Sequence, residues 1–238
     1  MTDPATTDRL GSDRRARVPA TPAPDPDAWF ALPVLTGTLV TLRPLTAEDA
    51  DAYLAAARAD GGGDEVFRWL LDPAPTDRAE AIQQVQAGLA ARARGVRYPL
   101  AQLDSSTGTL IGSTSLYEVD PTTRTLAIGY TWLGRPWWRT GHNTESKLLL
   151  LTHAFDRLGA VRVVWHTDIN NARSQAAIAR LGATREGLLR KHRIRRNGTW
   201  RDTVQYAMTD DDWPAARDFL SGRLHERRGR RCAPDRLS

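Results

Sequence analysis

Apolar and polar positions along the second half of the chain spell out a run of elements. From Asn143 to Leu158, the residues Leu148, Leu151, Phe155 and Leu158 recur at steps of three and four, which predicts a helix with one apolar face and Gly159 as its C-cap. Val161 to Thr167 alternate and are rich in β-branched side chains, the pattern of a strand. Asp168-Ile169-Asn170-Asn171 then caps a second helix, with Ala176, Ala177, Ile178 and Leu181 on its buried side and Gly182 at its end. Thr184 to Arg195 and Thr199 to Met208 flank Asn197-Gly198, a strong hairpin signal. The predicted order is helix, strand, helix, hairpin.

The first half reads differently. Thr38 to Pro44 is a first strand, and Thr46-Ala47-Glu48-Asp49 starts a helix carrying Ala52, Leu54 and Ala55. Gly61-Gly62-Gly63 breaks the chain, and a second helical segment spans about Thr76 to Arg94. Three strands follow, Val96 to Leu103, Thr109 to Val119 and Arg124 to Leu133, joined by Ser105-Ser106-Thr107-Gly108 and Asp120-Pro121-Thr122-Thr123 as turns. Pro19, Pro22, Pro24 and Pro26 lie among Ala, Thr and Asp, a composition that cannot build a core. The reading therefore divides the chain into a disordered tail over 1–30, one domain over 31–221 and a basic tail over 222–238.

Composition is compatible with that division. With 238 residues and 41% apolar side chains the chain can bury one good core without a second full domain. No apolar run reaches the ~18 residues of a membrane span, and the N-terminus opens with Asp3, Asp8 and Asp13 where a signal peptide would be basic and then apolar. A cytoplasmic protein with no membrane partner is expected. Cys232 is the single cysteine and lies outside every motif, so no disulfide, metal site or thiol nucleophile is expected. The net charge of +5 divides unevenly: residues 1–29 hold four Arg against five Asp, and residues 222–238 hold six Arg against Glu226 and Asp235. With the excess concentrated in Arg223, Arg227, Arg228, Arg230, Arg231 and Arg236, nucleic acid is not an expected partner of the folded part. At most the tail would touch RNA or ribosomes weakly.

Chemistry concentrates in Pro136-Trp137-Trp138-Arg139-Thr140-Gly141-His142-Asn143-Thr144-Glu145, the polar turn that opens the first of these helices. A helix start leaves backbone N–H groups unpaired at the positive end of the macrodipole, and Gly141 lets a ligand approach the backbone closely. A diphosphate fits such a cradle. An N-cap at Asn143 or Thr144 is the plainer reading of the same residues.

Several spaced motifs, taken in order, favour the cradle. Trp138 to Glu145, then Asn171-x-x-Ser174, then Leu181-Gly182-Ala183-x-x-Glu186-Gly187-x-x-Arg190, then Gly198-x-x-Arg201-Asp202, resemble the GCN5-related N-acetyltransferases (GNAT). They are most similar to the RimJ/RimL branch, which acetylates ribosomal protein N-termini, and the resemblance runs from about Leu35 to Trp213. It implies an α/β (α+β) fold with a mixed, strongly twisted sheet of about six to seven strands and helices on both faces. It also implies acetyl-CoA as cosubstrate, no metal, and direct transfer of acetyl to a primary amine on a protein N-terminus or a small molecule such as a polyamine or aminoglycoside. A homodimer is compatible with it. A non-catalytic acyl-CoA sensor of the same fold is the alternative.

By the same resemblance, Gly129 would allow a bulge that aims Tyr130, Thr131, Trp132 and Leu133 at the pantetheine arm and the thioester carbonyl. Arg139, Thr140, Gly141, His142, Asn143 and Thr144 would hold the diphosphate, and Asn171 and Ser174 would meet the arm and the sulfur, with Ser174 protonating the departing thiolate. Trp138 and Asn143 depart from the superfamily loop pattern, and Ile178 stands where many relatives place an acidic tyrosine. Arg193 occupies the place of the branch's glutamate base. Glu118 and His166 are the leading substitutes for that base, with His192 and Glu186 behind them. If Asn197-Gly198 is a two-residue turn, counting pairs Arg193 with Asp202. Trp69, Tyr98 and Trp200, with Phe67 and Tyr206, are the aromatic candidates for the acceptor pocket.

Overall fold

The computed structural model describes residues 25–232, with side chains to residue 227. Eight strands make one sheet in the order β1-β2-β3-β4-β5-β6-β8-β7, with β1 Leu35–Thr36, β2 Val40–Pro44, β3 Arg97–Asp104, β4 Leu110–Asp120, β5 Thr125–Leu133, β6 Arg162–Asp168, β7 Thr184–Ile194 and β8 Trp200–Thr209. The two-residue β1, pairing Leu35 with Leu42, takes the count past the expected six to seven. Every pairing is antiparallel except β5 with β6. Side chains alternate across the strands into two cores. Val40, Leu42, Leu100, Ile111, Leu116, Leu126 and Ile128 enter one, together with Leu150, Leu151 and Phe155 from the helix region after the polar turn. Ala101, Leu110 and Trp132 enter the other, beneath α1 (Ala50–Arg58), α2 (Gly63–Phe67) and α3 (Arg78–Ala93). Helices therefore cover both faces.

Two boundaries of the sequence reading move. Pro26–Trp29 forms a 3-10 turn whose Trp29 is 1% exposed within the larger core, so the domain begins before residue 31. At the other end α6 (Trp213–Cys232) passes straight through 221/222, because Trp213, Ala216, Leu220 and Leu224 continue a buried stripe at steps of three and four. The expectations for residues 1–24 and 233–238 lie outside the described residues. Between β5 and β6, α4 (His142–Thr152) ends in a π-helical turn, His153–Arg157, before Gly159 at φ 63°. After β6, α5 (Ala172–Ala179) carries the Asn171 cap, whose Oδ1 accepts the Ser174 N–H at 3.0 Å.

The last hairpin differs by one residue. Arg195 N–H bonds Thr199 O and Gly198 N–H bonds Arg195 O, so the loop holds three residues, with Gly198 at φ 78°. Arg193 therefore opposes Arg201, and Asp202 accepts the Lys191 backbone N–H instead.

Candidate active site

β5 and β6 pair only from Thr125/Arg162 to Ala127/Val164 and then part, opening a cleft of about 1290 Å³. On the β4 side the register jumps from Ser115↔Gly129 to Ser113↔Trp132, leaving Tyr130 and Thr131 opposite Thr114 alone. This is the expected bulge, but the left-handed residue is Tyr130 (φ 51°), held by Arg97 over its ring at 4.5 Å and by the edge of Tyr117. Gly129 serves close approach: a Cβ there would lie 2.8 Å from Tyr117 Cε1. Gln102 Nε2 donates to Ser113 O and Trp132 O, pinning the bulge from within the sheet.

α4 starts at one end of the cleft. Its N-cap is Gly141 at φ 110°, with no side-chain cap, and Gly141, Asn143 and Thr144 line the cleft with Arg139. Thr140 and His142 were expected to face the diphosphate, yet their side chains hold the loop from behind. Thr140 Oγ1 meets Trp137 O and His142 Nδ1, and the buried His142 Nε2 lies 3.1 Å from Asp104 Oδ2. Burial alone would raise Asp104; hydrogen bonds from Ser106, His142 and the Thr107 backbone outweigh it and hold the carboxyl at about 2. Glu145 accepts the N–H groups of Leu39 and Val40, so α4 is tied to the β1–β2 turn. Trp138, a departure from the loop pattern, donates from Nε1 to Leu133 O at 2.7 Å and carries the Arg173 guanidinium on its ring at 3.8 Å. It braces the end of β5 and presents a cation.

Across the cleft, Ser174 is half-buried, lines the opening, and among the described residues has no protein partner for its hydroxyl. His166 sits on β6 within a chain of hydrogen bonds. Gln205 Nε2 donates to Glu186, so its Oε1 faces His166 Nε2 at 3.1 Å, and His166 Nδ1 faces the Tyr117 hydroxyl at 3.1 Å. That network assigns the proton to Nε2 and makes Nδ1 the acceptor for Tyr117. Desolvation first, then the nearby Glu118, pushes the Tyr117 hydroxyl well above its ordinary range, so it stays a neutral donor. Glu118 is exposed, 4.0 Å from His166 Nδ1 and 3.9 Å from Arg193, and does not line the cleft. Arg193 and Arg201 do.

Of the acceptor aromatics, Trp69 lines the cleft. Tyr98 is buried in the larger core against Phe30, and Trp200 is 55% exposed at the hairpin end near Lys191, so neither reaches the cleft. Phe67 and Tyr206 are core as well. Sequence reasoning missed Tyr117, Lys147, Arg223 and Arg227, all of which line the cleft. Lys147 had a signal: it lies four residues before Leu151, a charge on the buried side of an amphipathic helix.

This overall fold is shared with known proteins. The Acetyltransferase (GNAT) domain family matches residues 40–184. The chain belongs to this family. It is 29% identical over 178 residues to the Bacillus subtilis N-acetyltransferase YoaA, covering 74% of this chain and 96% of that one. A GCN5-related N-acetyltransferase from Brucella melitensis superposes with a TM-score of 0.77 at 27% identity, over 87% of this chain and 89% of the other. Mycobacterium smegmatis RimJ, solved in complex with CoA-disulfide, shares the fold with a TM-score of 0.68 at 22% identity, over 83% and 96% of the two chains. GNAT enzymes transfer acetyl groups and use acetyl-CoA, and this chain is an acetyltransferase. Among the described residues no helix is long and apolar enough to cross a membrane.

Proposed function

We propose that this GNAT enzyme acetylates a primary amine by direct attack on the thioester of acetyl-CoA. The observation that carries the reading is the cleft itself, where the Tyr130–Leu133 bulge and the Gly141 helix start face the same opening as Ser174 and Tyr117. The residues suit the cosubstrate: Gly141 leaves the first N–H groups of α4 without a side-chain cap, and a Cβ at this position would meet Leu39 Cδ1 at 3.0 Å. Backbone N–H groups of His142, Asn143 and Thr144, with Arg139, would receive the diphosphate. The β5 edge beyond Ala127, unpaired with β6, offers hydrogen bonds to the amides of the pantetheine arm, and N–H groups of the bulge would polarise the carbonyl. Bound acetyl-CoA supplies the activated acetyl group.

Proton movement falls to Tyr117 and His166. With Nε2–H engaged by Gln205, His166 acts through the Tyr117 hydroxyl: the attacking nitrogen gives its proton to Tyr117 Oη as Tyr117 gives its own to His166 Nδ1. The C–S bond breaks, and Ser174 Oγ–H protonates the thiolate and is reprotonated from solvent. Glu118, 4.0 Å from Nδ1, stabilises the imidazolium so formed. The reading places neither Glu118 nor Arg193 on the amine.

Arg193 and Arg201 beside this relay also speak to the acceptor. Burial is the leading cause that lowers Arg201, yet a guanidinium remains charged, so a polycation entering here meets like charge. A protein N-terminus, whose α-amine with pKa ~8 is about 10% neutral at pH 7, fits better than a polyamine or aminoglycoside. Free-thiol release from acetyl-CoA against peptides and small amines tests the proposal. Saturable binding of acetyl-CoA with no thiol released by any amine would replace it with the sensor reading.

A further inference from the structure

α6 lies wholly outside residues 40–184, the part that matches the family, and it packs on α4 at the phosphate end of the cleft. Leu224 is buried, and its Cδ2 lies 4.0 Å from where a Cβ on Gly141 would sit; Arg227 Cδ lies 3.8 Å from the same point. Arg227 Nη1 donates to the Arg139 carbonyl at 2.9 Å, which fixes the helix to the loop. Arg223 and Arg227 both line the cleft. Among the described residues neither guanidinium is paired with a carboxylate, whereas the acidic groups lining the cleft are matched elsewhere: Asp60 and Glu65 with Arg135, and Asp168 with Arg195. The helix start and Arg139 already answer a diphosphate, so the pair on α6 is surplus charge set beside it.

CoA carries one further anion near its diphosphate, the phosphate monoester on the ribose 3′ oxygen, and guanidinium is the side chain suited to a phosphate dianion. We propose that Arg223 and Arg227 form a subsite for this 3′-phosphate, so that the C-terminal helix selects the 3′-phosphorylated nucleotide over its dephosphorylated form. This rests on the acetyl-CoA reading of the cleft. Because Arg227 also supports the Arg139 backbone, Arg223→Gln, with no backbone bond to lose, is the cleaner variant, and Arg223→Gln/Arg227→Gln the stronger one.

Calorimetry with acetyl-CoA, acetyl-dephospho-CoA, 3′,5′-ADP and 5′-ADP tests the subsite on the full chain, with thermal melts confirming that the variants fold. Wild-type protein should prefer each 3′-phosphorylated ligand by about 10- to 100-fold, the range for charge-assisted hydrogen bonds; Arg223→Gln should shrink that preference while keeping its affinity for acetyl-dephospho-CoA, and the double variant should abolish the preference. Equal wild-type affinity for the two thioesters, or equal weakening of both by Arg223→Gln, overturns the subsite and leaves the cleft reading standing. Failure of both thioesters to bind wild-type protein overturns the cleft reading and the subsite with it.

Discussion

Lys147 on α4 is buried, with its ammonium donating to Thr131 Oγ1 at 2.8 Å and Thr114 Oγ1 at 3.1 Å beneath the β5 bulge. Among the described residues no carboxylate pairs with it. Desolvation pushes it down from an ordinary 10.5 to about 7. The unfolded chain therefore keeps this proton to pH 10.5, whereas the folded protein releases it near 7. Between those values the unfolded state binds more protons, so the lysine destabilises the fold by an amount that falls as pH rises. At about 1.4 kcal/mol per pH unit, the cost approaches 5 kcal/mol below pH 7 and falls to about 1.4 kcal/mol at pH 9.5.

Lys147→Met keeps an unbranched chain and removes the charge. The two threonine hydroxyls lie 2.8 Å apart and still satisfy one another, so the loss is two hydrogen bonds of about 1 kcal/mol each. Lys147→Met should be more stable than wild type by about 3 kcal/mol at pH 6.5, and that advantage should shrink by about 3 kcal/mol by pH 9.5. Urea denaturation of both proteins at the two pH values checks it, since every other titrating group cancels in the difference. A stability difference that does not change with pH, or a variant weaker than wild type at pH 6.5, would refute the argument that an uncompensated buried ammonium sits under the bulge.

The remaining predictions concern the cleft. Gly141→Asp should weaken acetyl-CoA binding by at least tenfold more than Gly141→Ala: both strain a backbone at φ 110°, and only the aspartate adds a negative charge at the helix start proposed to receive the diphosphate; equal loss in calorimetry counts against the cradle. Tyr117→Phe removes the link between His166 and the cleft, so kcat should fall by about 10²- to 10⁴-fold with little change in KM for acetyl-CoA; unchanged kcat excludes the relay. Ser174→Ala should lower kcat by about tenfold, because a thiol with pKa ~8.5 leaves with little help, and the deficit should narrow above that pH. A deficit that is flat from pH 7 to 9.5 would remove Ser174 from thiolate protonation.

Strands β2 to β8 were legible because alternation and turn residues are local signals, and their predicted ends fall within two residues of those observed, whereas the two-residue β1 was not foreseen. Asn197-Gly198 marked a turn without giving its length; the loop holds three residues, and that single residue exchanges Asp202 for Arg201 opposite Arg193. α6 was obscured because its arginines dominate the composition from residue 222 onward, while among the described side chains Leu224 alone carries the apolar stripe past that point. Tyr130 at positive φ has no sequence signature, since Arg97 from β3 and Tyr117 from β4 hold it there. Tyr117 escaped notice for a related reason: a tyrosine in a central strand reads as core, and it is the β5–β6 split that brings it to the lining of the cleft. Tyr98 and Trp200 show the reverse, aromatics whose distance from the cleft is a tertiary fact.

Charge along the cleft argues for an acceptor with few positive charges. Arg139, Arg173, Arg223 and Arg227 line the cleft, and on the proposed reading they would draw in an anionic cosubstrate. Near the relay the nearby acid, Glu118, is shared between His166 and Arg193, so Arg201, with burial lowering it and Asp168 as the leading opposing charge, keeps local potential positive. A peptide whose residues after the first are acidic gains from that field, and a polyamine loses. Acetylation of N-terminal peptides matched in length should therefore be faster for Ser-Asp-Glu than for Ser-Lys-Lys starts by at least tenfold in kcat/KM, about 1.4 kcal/mol, and Arg193→Gln/Arg201→Gln should narrow the gap. Equal rates on the two peptides, or a faster rate on spermidine than on either, would show that these arginines do not face the acceptor.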